Sequence, residues 1–286
     1  MLRYSLAKFI PSWIFRPNIW SNSRRFGNVV RILLFHDISN SQLHIFEELI
    51  CFIEKNYSFL VPQQFHSFLL DKNKSTGQKF MLSFDDGFLS QVKVVKEILN
   101  PKGIKAIFFI CPSFIGLEGQ RMREFISKNI HNDKVKSKNI SEDLKPMTWD
   151  DLKSLIEAGH HIGAHTLSHR QLSEVQDEVE LRREIVESGN ILEKKLGFKI
   201  EWFAYPFGNN KSINARAYKM IKKRYRFCCT GLRGKNTLGT NHYSLYRDHV
   251  DLDAPMHYLK FILNGGLDVF YAGRRKELKQ VAGMMC

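Results

Sequence analysis

Seven short runs of this chain are apolar, most of them from end to end, and they alternate with longer stretches of helical periodicity. The runs are Val29–Phe35, Phe59–Val61, Lys79–Phe84, Lys105–Ile110, His161–Ala164, Ile200–Tyr205 and Arg226–Cys229. A strand with one wet face alternates apolar and polar residues, whereas a strand covered on both faces reads as a continuous apolar run. Helical patterns lie between the runs at Leu43–Glu54, Gln91–Leu99, Trp149–Ala158, Val175–Leu196 and Ile213–Lys223. This alternation predicts the α/β class with a parallel sheet, open or closed. Thr148 with Asp151 reads as a capping box, and Gly159 as the stop of that helix. Ser173 with Gln176 repeats the device, with Gly197 as its stop, and Ser212 is placed to cap the next helix. The polar, Lys-rich stretch 112–146 reads as an insertion carrying a short helix at Arg121–Asn129.

A length of 286 residues suits a single α/β domain. The expected division is a basic aromatic leader at 1–28, the domain at 29–250, and a C-terminal helical extension at 251–286. The leader lacks a signal-peptide core, and no stretch approaches the ~20 apolar residues of a spanning helix. Trp13, Phe15 and Trp20 beside Arg16, Arg24 and Arg25 suit contact with a membrane interface. The expected location is cytoplasmic, with peripheral contact at the inner face of the membrane.

An excess of 43 Lys+Arg over 29 Asp+Glu, a formal charge of +14, favours anionic partners. No basic cluster alternates with aromatics as a single-strand groove requires, so no nucleic-acid partner is expected. Five cysteines without a C-x-x-C spacing exclude a disulfide framework and a thiolate zinc site, and suit a reducing compartment. Cys51 and Cys111 lie in apolar runs and are expected to be buried thiols.

In parallel α/β architectures ligands bind beyond the carboxyl ends of the strands, so polar residues closing an apolar run carry the functional signal. Asp85 and Asp86 close one run ahead of Gly87. Adjacent carboxylates repel unless a cation or a proton settles the charge, although Asp-Gly is also a common turn dipeptide. His165 and His169 follow another run. Four apart on one helical turn they face the same way and reach one ion, while His160 and His161 read as structural. Tyr205, Pro206, Phe207 and Gly208 close a third run and can line a sugar-sized cleft or turn backbone N–H groups toward an oxyanion. His36 closes the first run, either as an acid with a pKa close to working pH or as a core histidine held by Asp37.

The ordered set LSFDDG, HTLSH and FAYPFG resembles the polysaccharide deacetylase superfamily, also called the NodB-homology or carbohydrate esterase family 4 group. The resemblance spans Val29 to Arg247 and implies a distorted (β/α)7-type barrel in one domain. It implies that Asp85 is the catalytic base and that Asp86, His165 and His169 hold a divalent metal. That metal is Zn2+ in most members, with Co2+, Ni2+ or Fe2+ as alternatives. Ala204 stands where many members carry Arg, and no late Leu-x-x-His follows Phe207; His249 lies one position out of that spacing from Leu245. With LLFHD near the start and Leu245-Tyr246-Arg247 late, the chain looks like the branch that includes poly-N-acetylglucosamine deacetylases. There the early histidine makes His36 the acid candidate, and Arg247 the cation that orients Asp85. The resemblance thus implies metal-dependent removal of an N-acetyl group from an amino sugar, in a polysaccharide or in a lipid- or nucleotide-linked precursor. Deformylation, O-deacetylation and non-catalytic glycan binding are the alternatives.

Overall fold

The computed structural model of the protein describes residues 28–70 and 77–283, so all of the leader except Asn28, with the membrane contact expected of it, lies outside the described residues. Strands β1 (Val29–Phe35), β2 (Ser58–Phe59), β3 (Gln78–Asp86), β4 (Ala106–Ile110), β5 (His161–Ala164), β6 (Trp202–Ala204), β7 (Phe227–Cys229) and β8 (Arg247–His249) all pair in parallel. Their order is β7-β6-β5-β4-β3-β1-β8, with β2 set beside the start of β3. The ends of this row meet where Thr230 N–H donates to the Leu245 carbonyl at 2.7 Å and Leu245 N–H to the Cys228 carbonyl at 2.9 Å. The result is the expected distorted barrel of seven strands, nearly closed.

The continuous apolar runs are explained by two cores on opposite faces of the sheet. Val30 and Ile32 of β1, Met81 of β3, and Ile107 and Phe109 of β4 fill the barrel interior with Trp202, Cys229 and Leu245. Their strand neighbours Leu33, Phe35, Phe80, Leu82, Phe84, Phe108 and Ile110 face the surrounding helices. Helix α1 (Leu43–Asn56) shows how those helices seat themselves. Its buried residues Phe46, Leu49, Ile50 and Ile53 recur at helical spacing and form one apolar stripe. Burying each such side chain is worth about 1.5–3 kcal/mol. Phe84 stacks on Phe108 at 4.9 Å and on Phe35 at 5.3 Å, tying three strands into this outer layer.

Further helices are α2 (Phe65–Leu70), α3 (Ser90–Val94), α4 (Gly119–Phe125), α5 (Trp149–Glu157), α6 (Glu178–Arg182), α7 (Ser188–Leu196), α8 (Ala215–Arg224), α9 (Met256–Leu263) and α10 (Ala272–Val281). Wider π turns continue α3 and α4, and another joins α6 to α7. The capping box of α5 is made as read: Thr148 Oγ1 accepts from Asp151 N–H at 3.1 Å, and Asp151 accepts from Thr148 N–H at 2.8 Å. Gly159 and Gly197 take left-handed φ of 84° and 80°.

Two other caps differ from the sequence reading. Val175 is extended and buried, so the helix starts at Glu178 with Asp177, not Ser173, accepting from Glu180 N–H at 2.8 Å. Likewise Asn214 rather than Ser212 caps α8, accepting from Ala217 N–H at 3.0 Å, while Ser212 is buried. Cys51 is exposed on the solvent side of α1, outside its apolar stripe, whereas Cys111, Cys228 and Cys229 are buried. Among the described residues no helix is long and apolar enough to cross a membrane.

Candidate active site and metal centre

Strand register brings the polar closures to one level. Phe35 of β1 lies beside Phe84 of β3, Asp86 beside Ile110 of β4, and Ile110 beside Ala164 of β5. Consequently His36, Asp85, Asp86 and His165 emerge together at the carboxyl end of the barrel, around a cleft of about 530 Å³. That volume is within the range of small-molecule sites.

Side chains alternate across a strand, so Asp85 shares the interior face of β3 with Met81 and Ser83. Arg247 on β8 shares the interior face with Leu245. The two meet in a buried fork, with Arg247 Nη1 2.6 Å from Asp85 Oδ1 and Nη2 2.8 Å from Oδ2. Arg247 Nε also donates to the Thr230 carbonyl at 2.8 Å, and the guanidinium lies 5.1 Å from the Phe109 ring centre. Burial alone would push the Asp85 carboxyl up; Arg247, and then His165, hold it below the usual carboxylate range.

Asp86 would point away from the interior by the same alternation, but its φ of 76° turns the chain and aims its carboxylate into the cleft. Such conformations cost of order 1–3 kcal/mol in a residue other than glycine, and persist where the surrounding structure over-determines them. Gly87, at φ 97°, completes the turn. His165 and His169 converge on Asp86 without a helix between them. Residues 165–169 form a loop in which Thr166 and His169 each have φ of 61°, a correction to the single helical turn read from their spacing.

The two rings are oriented from behind. His165 Nδ1 lies 2.7 Å from the Ala204 carbonyl and His169 Nδ1 2.7 Å from the Asn129 carbonyl, so each ring donates there and turns Nε2 inward. The inward nitrogens approach Asp86 Oδ1 at 3.5 and 3.3 Å, yet neither Asp86 oxygen has a hydrogen-bond partner. Donor atoms of Asp86, His165 and His169 all lie within 4.8 Å of one another. Two imidazole nitrogens and a buried carboxylate without hydrogen bonds are a donor set that fits a divalent ion, with positions left for other ligands. Burial pushes the His165 imidazole down to about 4 despite Asp85, which keeps it neutral and ready to coordinate. Burial also raises the Cys111 thiol, which donates to the His165 carbonyl at 2.9 Å and stays protonated.

Other residues singled out in the sequence divide. His36 lines the cleft, while Asp37 accepts from Ser90 Oγ at 2.6 Å and does not hold the His36 ring. Phe207 and Gly208 line it too. Tyr205 and Pro206 are buried behind them, and the Tyr205 hydroxyl donates to the Gly208 carbonyl at 3.4 Å. His249, out of spacing in the sequence, reaches the cleft with its ring 5.4 Å from that of His36. The signal that would have found it is parity: His249 follows Arg247 by two residues and lies beside Leu34 in register. The insertion contributes Ile130, His131 and Leu144 to the opposite wall, which no motif indicated. His160 is tied to the scaffold as expected, its Nδ1 accepting from Ala106 N–H at 3.2 Å.

A family model described as polysaccharide deacetylase matches residues 72–225, more than half of the chain. The Bacillus subtilis protein YxkH is 21% identical over 225 residues, which cover 77% of this chain and 70% of YxkH. Among solved structures, the Streptococcus pyogenes deacetylase PplD, in complex with acetate, superposes with a TM-score of 0.63 at 18% identity, covering 82% of this chain and 99% of PplD. A de-N-acetylase from Aggregatibacter actinomycetemcomitans gives 0.63 at 16%, covering 82% and 99%. At these identities the structural likeness shows the fold.

Proposed function

The chain belongs to the polysaccharide deacetylase family and is a carbohydrate deacetylase, and from that premise we propose that it removes the N-acetyl group of an amino sugar in a metal-dependent hydrolysis. The observation that carries this reading is the pair of adjacent carboxylates in opposite circumstances. Asp85 is forked to Arg247, whereas Asp86 sits unbonded between the inward nitrogens of His165 and His169. The first is a base; the second is a metal ligand.

Asp86, His165 and His169 would hold the ion, with Zn2+ the expected metal and Co2+, Ni2+ or Fe2+ alternatives. Such an ion polarises a carbonyl and lowers the pKa of water. Asp85, kept ionised by Arg247, takes the proton of the water that attacks the amide carbon. The wall formed by Phe207 and Gly208, with Tyr205 and Pro206 buried behind it, offers its backbone to the tetrahedral oxygen. His36 protonates the leaving nitrogen, a step the reaction requires because an amine anion leaves poorly. Likeness to a protein named a de-N-acetylase supports nitrogen over oxygen as the leaving atom. The LLFHD stretch that carries His36 just past β1, with Leu245-Tyr246-Arg247 late in the chain, supports the poly-N-acetylglucosamine branch. The net charge of +14 supports an anionic glycan or a lipid- or nucleotide-linked precursor, handled at the inner face of the membrane.

The test is acetate release from N-acetylated sugars by metal-stripped protein, before and after reloading with Zn2+, Co2+ or Ni2+. Release restored by metal, and lowered about 10²–10⁴-fold in Asp85→Asn with metal content retained, is the expected result. Metal loss in Asp85→Asn but not in Asp86→Asn would reverse the two roles. Stoichiometric metal without release from any substrate would sink the N-acetyl reading.

A further inference from the structure

One buried acid has no part in the chemistry proposed above. Glu184 lies in the π turn between α6 and α7, facing inward with Leu181, Ile185 and Ser188. It is 3% exposed and forms no ion pair among the described residues, whereas its half-buried neighbours Glu180 and Glu187 lie against Arg183 and Arg182. A buried charge without a cation is costly, so such groups are paired or serve a metal. What Glu184 holds is the loop of metal ligands. Its Oε1 accepts from Ser168 Oγ at 2.6 Å and its Oε2 from Ser168 N–H at 3.0 Å, while its carbonyl accepts from Leu167 N–H at 3.0 Å. On the far side Ser113 N–H donates to the Leu167 carbonyl at 3.1 Å and Asn129 Nδ2 to the Ser168 carbonyl at 2.7 Å. Every backbone polar group of Leu167 and Ser168 is thereby bonded, between Thr166 and His169 with their left-handed φ. Such backbone persists only where its surroundings over-determine it.

From this geometry we infer that Glu184 is a positioning residue of the metal centre, acting on the ligands through Ser168 and through its own charge. The inference rests on reading Asp86, His165 and His169 as that centre. Two oxygens of one carboxylate take both donors of Ser168. That fixes the segment between the two histidines, and hence the direction from which their rings approach an ion. The charge matters separately. With both imidazoles neutral toward an ion, the charges of Asp86 and Glu184 sum to the two that a divalent cation brings, while that of Asp85 is met by Arg247. Glu184 therefore favours the loaded site over the empty one.

Glu184→Gln separates charge from shape, because the amide still accepts from Ser168 N–H and donates to Ser168 Oγ but carries no charge. Zn2+ affinity of the full chain, measured by competition with a chelator, should fall about 10–100-fold, as it does when groups that orient metal ligands are lost. The melting temperature of metal-free protein should change little, while the gain on adding Zn2+ shrinks. Ser168→Ala keeps the N–H bond and loses the hydroxyl bond. It should weaken Zn2+ less than Glu184→Gln and shift the visible bands of Co2+-loaded protein, which report the arrangement of ligands. Unchanged Zn2+ affinity in Glu184→Gln, with Co2+ bands unmoved in Ser168→Ala, overturns the role. So does an equal fall in melting temperature with and without metal, which would make Glu184 a structural residue only. Wild-type protein that binds no Zn2+ sinks the metal centre and this role together, whereas wild-type binding that these substitutions leave intact sinks this role alone.

Discussion

Arg247 and Asp85 form a pair in which neither partner tolerates loss of the other. Both are buried, so removing the cation leaves a desolvated carboxylate, and breaking a buried pair in this way costs about 3–5 kcal/mol. Arg247→Met, close in size, should destabilise by that order and also change the chemistry. Arg247 is the largest influence holding the Asp85 carboxyl down, so its removal should let that carboxyl rise. The acid limb of kcat/KM should therefore move to higher pH, with activity partly regained in alkaline buffer. Arg247→Lys should move it less, because an ammonium keeps the charge but not the two-pronged contact. A limb that stays put in Arg247→Met would mean that Arg247 does not tune the base. Asp85, Asp86, His165 and His169 were legible in the sequence because each is a polar residue closing an apolar run. His249 was not, since it sits in a three-residue strand that reads Arg-Asp-His and has no apolar run to close. Tyr205 and Pro206 were grouped with Phe207 by adjacency alone, but left-handed Phe207 and Gly208 turn the chain so that only those two face the cleft.

Elements with strong local chemistry were read correctly, and those governed by tertiary contacts were not. Thr148 caps α5 because its partner Asp151 lies three residues on, whereas Ser173 is drawn away by its N–H bond to the Ser212 carbonyl at 3.1 Å. Asp177→Ala should consequently cost about 1 kcal/mol, as Thr148→Ala does, and Ser173→Ala close to nothing. Equal costs at Ser173 and Asp177, from urea midpoints, would return the cap to the sequence reading. Strand β8 escaped notice because Arg247 serves Asp85 inside the barrel while Asp248 pairs with Arg31 at 2.7 Å on the outside. The junction of α5 and β5 carries a pH-dependent element. Burial, helped by Lys105, pushes His160 down to about 4, and its Nε2 bonds Asn100 Oδ1 at 3.0 Å. Because the unfolded imidazole titrates near ~6.5, the unfolded chain binds more protons as pH falls. The stability that neutral His160 contributes is thus fully present above ~6.5 and lost toward pH 4, on the order of 2–3 kcal/mol over that window. His160→Gln should flatten this part of the stability curve; an unchanged slope between pH 6.5 and 4 would assign it to other groups.

At the scale of the whole molecule, the ligand set is what turns separate strand ends into one body. Asp86 ends β3, while His165 and His169 lie in the loop after β5. Behind them stand the Ala204 carbonyl at the end of β6 and the Asn129 carbonyl of the insertion. An ion held by the three side chains would therefore couple two strand ends directly and two further segments through the ring bonds. Any ligand that binds the folded state alone stabilises it by an amount set by its concentration over Kd, about 2.7 kcal/mol at a hundredfold excess. Chelated protein should accordingly melt below Zn2+-loaded protein, and the gap should widen with added metal. Asp86→Ala should abolish that dependence, since it removes the one carboxylate of the set, while Asp85→Asn should preserve it. This separates binding from catalysis without a substrate in hand. A melting temperature indifferent to Zn2+ in the wild-type protein would leave His169, 3.3 Å from Asp86 Oδ1, as the counter-ion of that carboxylate, and a response that survives Asp86→Ala would place the ion elsewhere.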